Sequence, residues 1–301
     1  MKRIGLVEVT AVWAMLAAVA VATTVTYARI PTSELYHVGV GGLAGGLGRA
    51  LVYVNFPVAL IAVGMLPFLL ARLPATRPVH AVAVASLVLC AFVAVPGVVD
   101  QADLDAKWIN IVPAAGVALA LGLWVRALRD GIGPLDRWER LDWVRLAAAV
   151  LVVFVALPWE FAELGVYVSH VPLIGHLFLG AQIRPSAGVE PTLHAVHLGR
   201  HHGMDGTLCM LSGLALSRLV KDVPRGVMHE QAAFAVGALL VYGALNVAND
   251  AWDEQVWKRG WTDWMLPSFL RPGITWGFLV LLIGVAVAFA LVRRLSPPAA
   301  A

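Results

Sequence analysis

Four of the chain's nine histidines, His194, His197, His201 and His202, fall within nine residues, and Asp205 follows three residues later. They sit in an apolar run, PTLHAVHLGRHHGMDGTLCML. Read as a helix advancing about 100° per residue with His194 at zero, His197 falls at about 300°, His201 at about 340° and Asp205 at about 20°. One face then carries three imidazoles and a carboxylate, flanked by His202 and Arg200. Such a face is too costly against lipid and must look into protein. His197 and His201, four residues apart, have the spacing that lets two imidazoles reach one metal ion. The expected ligands are therefore His194, His197 and His201, with Asp205 and His202 orienting them or moving protons.

The preceding apolar run supplies partners. It ends LPWEFAELGVYVSH, and on the same wheel Glu160, Glu163, Tyr167 and His170 share a stripe. Glu160 and Glu163 are expected to complete the ligand set, Glu160 also acting as a catalytic group from below, with His170 as a further ligand. His176 is placed in an apolar outer segment that could fold over the pocket. His37 is assigned no role, and His80 and His229 are expected at the opposite interface.

The string His197-Leu198-Gly199-Arg200-His201-His202 resembles the H-x-x-x-H-H histidine box of membrane fatty-acid desaturases and hydroxylases, over six residues of 301. The resemblance implies that an imidazole-rich site with added carboxylates suits iron, zinc or copper. A second stretch, NVANDAWDEQVW, brings Asn246, Asn249, Asp250 and Asp253 within about 100° of one another on a helix. It loosely resembles the N-D-x-x-D motif of membrane prenyltransferases, which implies oxygen ligands for a hard cation. A helix-end cap with salt bridges to Lys258 and Arg259 is the simpler account.

These residues need elements to hold them, and the composition says which. With 60% hydrophobic residues, 14% charged and a mean hydropathy of +0.80, the chain is far from the roughly 25% charged residues of a soluble domain. The expected fold is an all-α polytopic membrane bundle, a single domain over residues 1–301. A span of about 20 apolar residues fits about eight stretches. They lie near residues 5–28, 50–71, 80–99, 109–127, 145–168, 191–217, 229–249 and 273–292.

Lysine and arginine fix the orientation. With the N-terminus inside, fourteen of the 22 lie on inner segments and eight, including Arg49, Arg200, Lys258 and Arg271, outside. Both termini are expected in the cytoplasm and the protein in the plasma membrane. The glycine-rich stretch 37–48 is expected to allow close helix packing. The five tryptophans of 252–276 are expected to form an interfacial belt. Cys90 and Cys209 lie in apolar runs, where thiols pack as small hydrophobes.

The basic residues are spread between the apolar runs, so no nucleic-acid role is assigned. The expected function is a membrane-embedded metalloenzyme with its site in the outer half of the bundle, acting on a lipid or other apolar molecule. Non-haem iron oxidoreduction ranks ahead of zinc hydrolysis. A metal-ion or proton-coupled transporter is the alternative, but beyond Asp205 the sixth run offers only Thr207, Cys209 and Ser212 as a path. Electron transfer through bis-histidine haem is the third class.

Overall fold

The computed structural model describes residues 4–100, 103–133, 137–184, 193–267, 269 and 275–298. Lys2, Arg3 and Arg271 of the charge asymmetry, and residues 191–192 and 273–274 of two expected spans, lie outside the described residues.

The chain is mostly helical, as its apolar runs demand. Nine α-helices follow one another among the described residues: α1 (Val7–Arg29), α2 (Gly42–Tyr53), α3 (Ala59–Arg72), α4 (Arg77–Ala91), α5 (Ile111–Leu128), α6 (Arg140–Glu163), α7 (His202–Ser217), α8 (Val227–Gln255) and α9 (Trp276–Leu295). α2 and α3 form one pass, Gly42–Arg72, interrupted by a wide turn at Val54–Val58 that contains Pro57. A break in a buried helix leaves backbone groups needing partners. Asn55, inside the turn, donates to the Leu51 carbonyl at 2.9 Å and to the Asn110 carbonyl at 2.8 Å, and Asn110 donates to Asn55 Oδ1 at 2.9 Å and to the Val98 carbonyl at 2.8 Å, tying the turn to the start of α5.

Seven helical segments are long and apolar enough to cross a membrane. The expected sixth span, 191–217, is corrected by the structure. Only its second part is helical, and α7 has 16 residues, short of the roughly 20 that a bilayer needs. Before it, Leu193–His194 (β2) pairs antiparallel with Ile183–Arg184 (β1), and residues 195–201 run irregularly. The helical wheel drawn through His194, His197 and His201 therefore does not apply. Gly199 holds a φ of +102°, which ends any helix there.

Ion pairs show where α7 ends. Arg218, just after it, pairs with Glu8 at the start of α1 (2.7 Å) and with Asp142 at the start of α6 (3.1 Å). Arg145 donates to Ser217 at 2.8 Å. Arg72 donates to the carbonyls of Asp130 and Gly131 beyond α5, and Glu230 at the start of α8 pairs with Arg293 near the end of α9. Among the described residues the chain thus runs eight times between two ends. α7 is the short pass, and both described termini share the end marked by Arg218.

α8 lies at the centre, against α3, α7 and α9. Against α7 it packs backbone to backbone: a Cβ added at Gly206 would stand 2.6 Å from the Gly243 carbonyl oxygen, and one at Gly243 would stand 2.5 Å from that of Gly206. Exposed tryptophans mark both ends. Trp138 and Trp143 stand near Arg218's end, and Trp108, Trp261, Trp264 and Trp276 at the opposite end.

Candidate metal centre

The short pass leaves a cavity at the end opposite Arg218. It has a volume of about 220 Å³ and is lined by His194, His197, Arg200, His201, His202 and Asp205 from the run before and into α7, by Asp250, Glu254 and Lys258 from α8, and by Tyr36, Arg49 and Leu104. At its buried side His201, Asp250 and Glu254 each offer a ligand atom, all within 4.8 Å of one another.

Each of the three is held by a named partner. The Nε2 of His201 lies 2.9 Å from the His197 carbonyl, an acceptor, so Nε2 carries the proton and Nδ1 is left to face Glu254 Oε1 at 3.3 Å. The other oxygen of Glu254 accepts from the indole of Trp159 at 2.6 Å, and Trp159 is fully buried. Asp250 accepts from the backbone N–H of Gly203. Lys258 stands 3.8 Å from Glu254 and donates to the Ala195 carbonyl at 2.7 Å. The carboxylates of Glu254 and Asp250 both stand beside the His201 ring, so the position between them is negative. The pair thus favours a cation between them, either a proton or a metal ion.

His197 stacks on His201, with ring centroids 3.9 Å apart, and on Tyr36 at 4.6 Å. The stacked ring covers one face of His201. The Nδ1 of His197 lies 3.1 Å from the Leu198 carbonyl. His194 Nδ1 lies 2.8 Å from the Ala181 carbonyl, with its ring against Tyr167.

Arg200 organises a second network beside the first. Its guanidinium pairs with Asp205 and lies 3.6 Å from Glu163 and 4.2 Å from the Tyr53 ring centroid. Glu163 accepts from the hydroxyl of Thr23. The Arg200 N–H donates to Tyr27 Oη at 3.0 Å, and the Gly199 N–H to the Ala162 carbonyl at 2.9 Å. These bonds tie the irregular run to α1 and α6 and satisfy two of its buried backbone N–H groups.

The expected site residues are therefore redistributed. His194, His197, His201, His202 and Asp205 all line the cavity, although not as a helical face. His201 alone of them belongs to the close donor group. Glu163 is buried, and it rather than Glu160 reaches Arg200; Glu160 is half-buried on α6 and does not line the cavity. His170 is exposed with its ring 5.5 Å from Tyr167, and His176 is exposed. His80 is exposed at the start of α4, and buried His229 faces the Ser296 carbonyl at 3.0 Å, both at Arg218's end.

The Asn246, Asn249, Asp250 and Asp253 cluster is divided. Asn249 and Asp253 bond each other at 3.0 Å and clamp Leu266, Asn246 donates to the Tyr242 carbonyl, and Asp250 alone turns to His201. Sequence reasoning missed Glu254 and assigned Asp250 to a separate group. Their i,i+4 spacing on α8 was the available signal. It also treated Arg49 as a loop charge, whereas α2 starts at Gly42 and carries Arg49 two turns inside.

Comparison with protein-family models, curated proteins and solved structures gives no match for this chain.

Proposed function

We propose that the chain is a membrane-embedded metalloenzyme that holds a divalent transition metal at His201, Asp250 and Glu254 and acts on a lipid or other apolar amphiphile. The observation that carries this reading is the donor group itself: one imidazole just before α7 and two carboxylates on α8, converging at the wall of a cavity. Three protein ligands with open positions are the pattern of a catalytic rather than a structural ion. The supports around them fit as well. The His197 carbonyl fixes the His201 tautomer, and Trp159 and Gly203 orient the carboxylates, the roles that partners of metal ligands perform.

Bound here, such an ion supplies Lewis acidity and lowers the pKa of water at neutral pH. The chain's own groups do the rest. Lys258 holds positive charge beside Glu254, His202 lines the cavity, and the His197–Tyr36 stack limits water. Two carboxylates to one imidazole favour a hydrolytic reaction. The surplus of imidazoles around the cavity, His194, His197 and His202, supports a second reading, oxygen activation at non-haem iron.

An apolar substrate is supported by a second, larger pocket of about 620 Å³ between α3, α4, α8 and α9, lined by side chains such as Phe56, Phe234, Tyr242 and Phe278. That size suits a ligand site of roughly 300–1,000 Å³. The arginine asymmetry supports cytoplasmic termini in a plasma membrane, with the cavity in the outer half. Elemental analysis of the protein purified in mild detergent, with an absorption spectrum, tests the reading. About one equivalent of zinc, iron or manganese is expected, and a metal-free parent that also fails to take up added ion overturns it.

A further inference from the structure

Arg49 is the charge in this cavity that the candidate metal centre does not use. It lies two turns into α2, 8% exposed, and lines the same cavity as His201, Asp250 and Glu254. Its Nε and Nη1 are buried without a hydrogen-bond partner, and its close contact is the face of Tyr27, 5.6 Å from the guanidinium. By contrast, Arg200 has Glu163 and Asp205. Glu163 acts on Arg49 through space, but among the described residues no carboxylate comes within ion-pair reach of it, and buried N–H groups left without an acceptor are costly. An arginine kept in that state inside a cavity awaits an anion.

The local charges indicate which anion. Arg49, Arg200 and Lys258 face Glu163, Asp205, Asp250 and Glu254, a shortfall of one positive charge. A divalent ion turns that shortfall into a surplus of one, so a singly charged ligand would close the balance. This step rests on the metal reading above; the unpaired state of Arg49 does not. The cavity, about 220 Å³, is below the usual range for a whole ligand and suits a headgroup whose tail lies outside it. The membrane around the bundle supplies singly charged oxyanions in the form of phosphodiesters.

We propose that Arg49 forms an oxyanion subsite for the phosphodiester of a lipid headgroup, which positions the substrate against the metal centre. Guanidinium groups bind phosphate oxygens through several N–H donors at once, which a lysine cannot reproduce.

Calorimetric titration in non-ionic detergent tests this, with dihexanoyl phosphatidylglycerol, dihexanoyl glycerol, octanoate and inorganic phosphate as probes. Each is run on zinc-loaded and on chelator-treated protein. The phosphatidylglycerol is expected to bind at least tenfold more tightly than the uncharged glyceride and than octanoate. R49Q is expected to remove that preference, and R49K to restore only part of it. Melting temperatures of R49Q and R49K without ligand, measured alongside, separate lost binding from lost fold.

Inorganic phosphate binding as tightly as the lipid, through Arg49, would assign the oxyanion to a free-phosphate source and overturn the lipid assignment. Equal binding of charged and uncharged lipids, or unchanged binding in R49Q, would overturn the subsite. Phosphodiester binding through Arg49 in a protein that takes up no metal would uphold the subsite while the metal reading fails. Metal uptake without phosphodiester binding is the reverse.

Discussion

The Nδ1 of His201 faces Oε1 of Glu254 at 3.3 Å across the junction of α7 and α8. With Nε2 committed to the His197 carbonyl, the two facing atoms are a lone pair and an anion whenever the imidazole is neutral. Something positive must lie between them. That requirement makes the junction chemically interesting, and it comes from two segments that touch only after folding.

If that positive group is a metal ion, the donor trio should control it. H201A, D250N and E254Q are each expected to weaken metal binding by at least about tenfold, the scale on which even supporting partners act. H80A, at an exposed position on α4, should leave metal content unchanged. Atomic emission on monodisperse fractions checks this, and equal metal in all four variants would remove the trio from the account.

The two glutamates of α6 should differ in stability. E163Q withdraws a carboxylate from buried Arg200, and breaking a buried pair costs about 3 kcal/mol. Asp205 remains to limit the loss. E160Q changes a half-buried group and should stay within about 1 kcal/mol. Thermal unfolding in detergent measures the contrast, and indistinguishable melting temperatures would show that the Arg200 network does not hold the irregular run.

Gly199 should tolerate no side chain. Its φ is +102°, and a Cβ there would stand 2.3 Å from Tyr27 Oη. G199A is expected to cost about 2 kcal/mol or more through strain and collision. Adding Y27F removes the hydroxyl and should recover part of the loss, so a double-mutant cycle reads their coupling. Strictly additive losses would mean that the collision is absent.

Topology is open to a labelling test. Cysteines replacing Asp103 and Asp263, both exposed, should react with an impermeant reagent in intact cells, and one replacing exposed Arg137 only after permeabilisation. Cys90 and Cys209 are buried and should give little background. Labelling of Asp103 and Asp263 positions from opposite sides would break the order of passes.

Much of the scaffold was legible in the sequence because apolar length alone selects a membrane-scale helix. α1, α4, α5, α6, α8 and α9 fall where the apolar runs lie. The run before α7 did not yield to the same rule. Its hydrophobicity is that of a helix, but Gly199 takes a backbone conformation the wheel does not contain, and β2 pairs with β1, a partner chosen outside the run. The sequence singles out the histidines because imidazoles are costly against lipid, and His194, His197, His201 and His202 line the cavity whereas His170 does not. Their partners were not legible there, because the approach of Glu254 to His201 is set by how α7 lies on α8. Arg49 was hidden by a boundary: placing the helix start at residue 50 turned a buried charge into a loop charge.

Gly206 and Gly243 bring the backbones of α7 and α8 into contact just below the donor group. With backbone against backbone at the closest approach, little there can give to let the His201 side and the Asp250–Glu254 side move apart. The opening between them behaves as a fixed gauge. Zinc and iron, with bonds of about 2.0–2.2 Å, ask for a smaller opening than calcium, with bonds of about 2.3–2.6 Å. Selection among ions would then be made by radius at a glycine contact that touches no ion, and a single methyl group at either glycine would reset it.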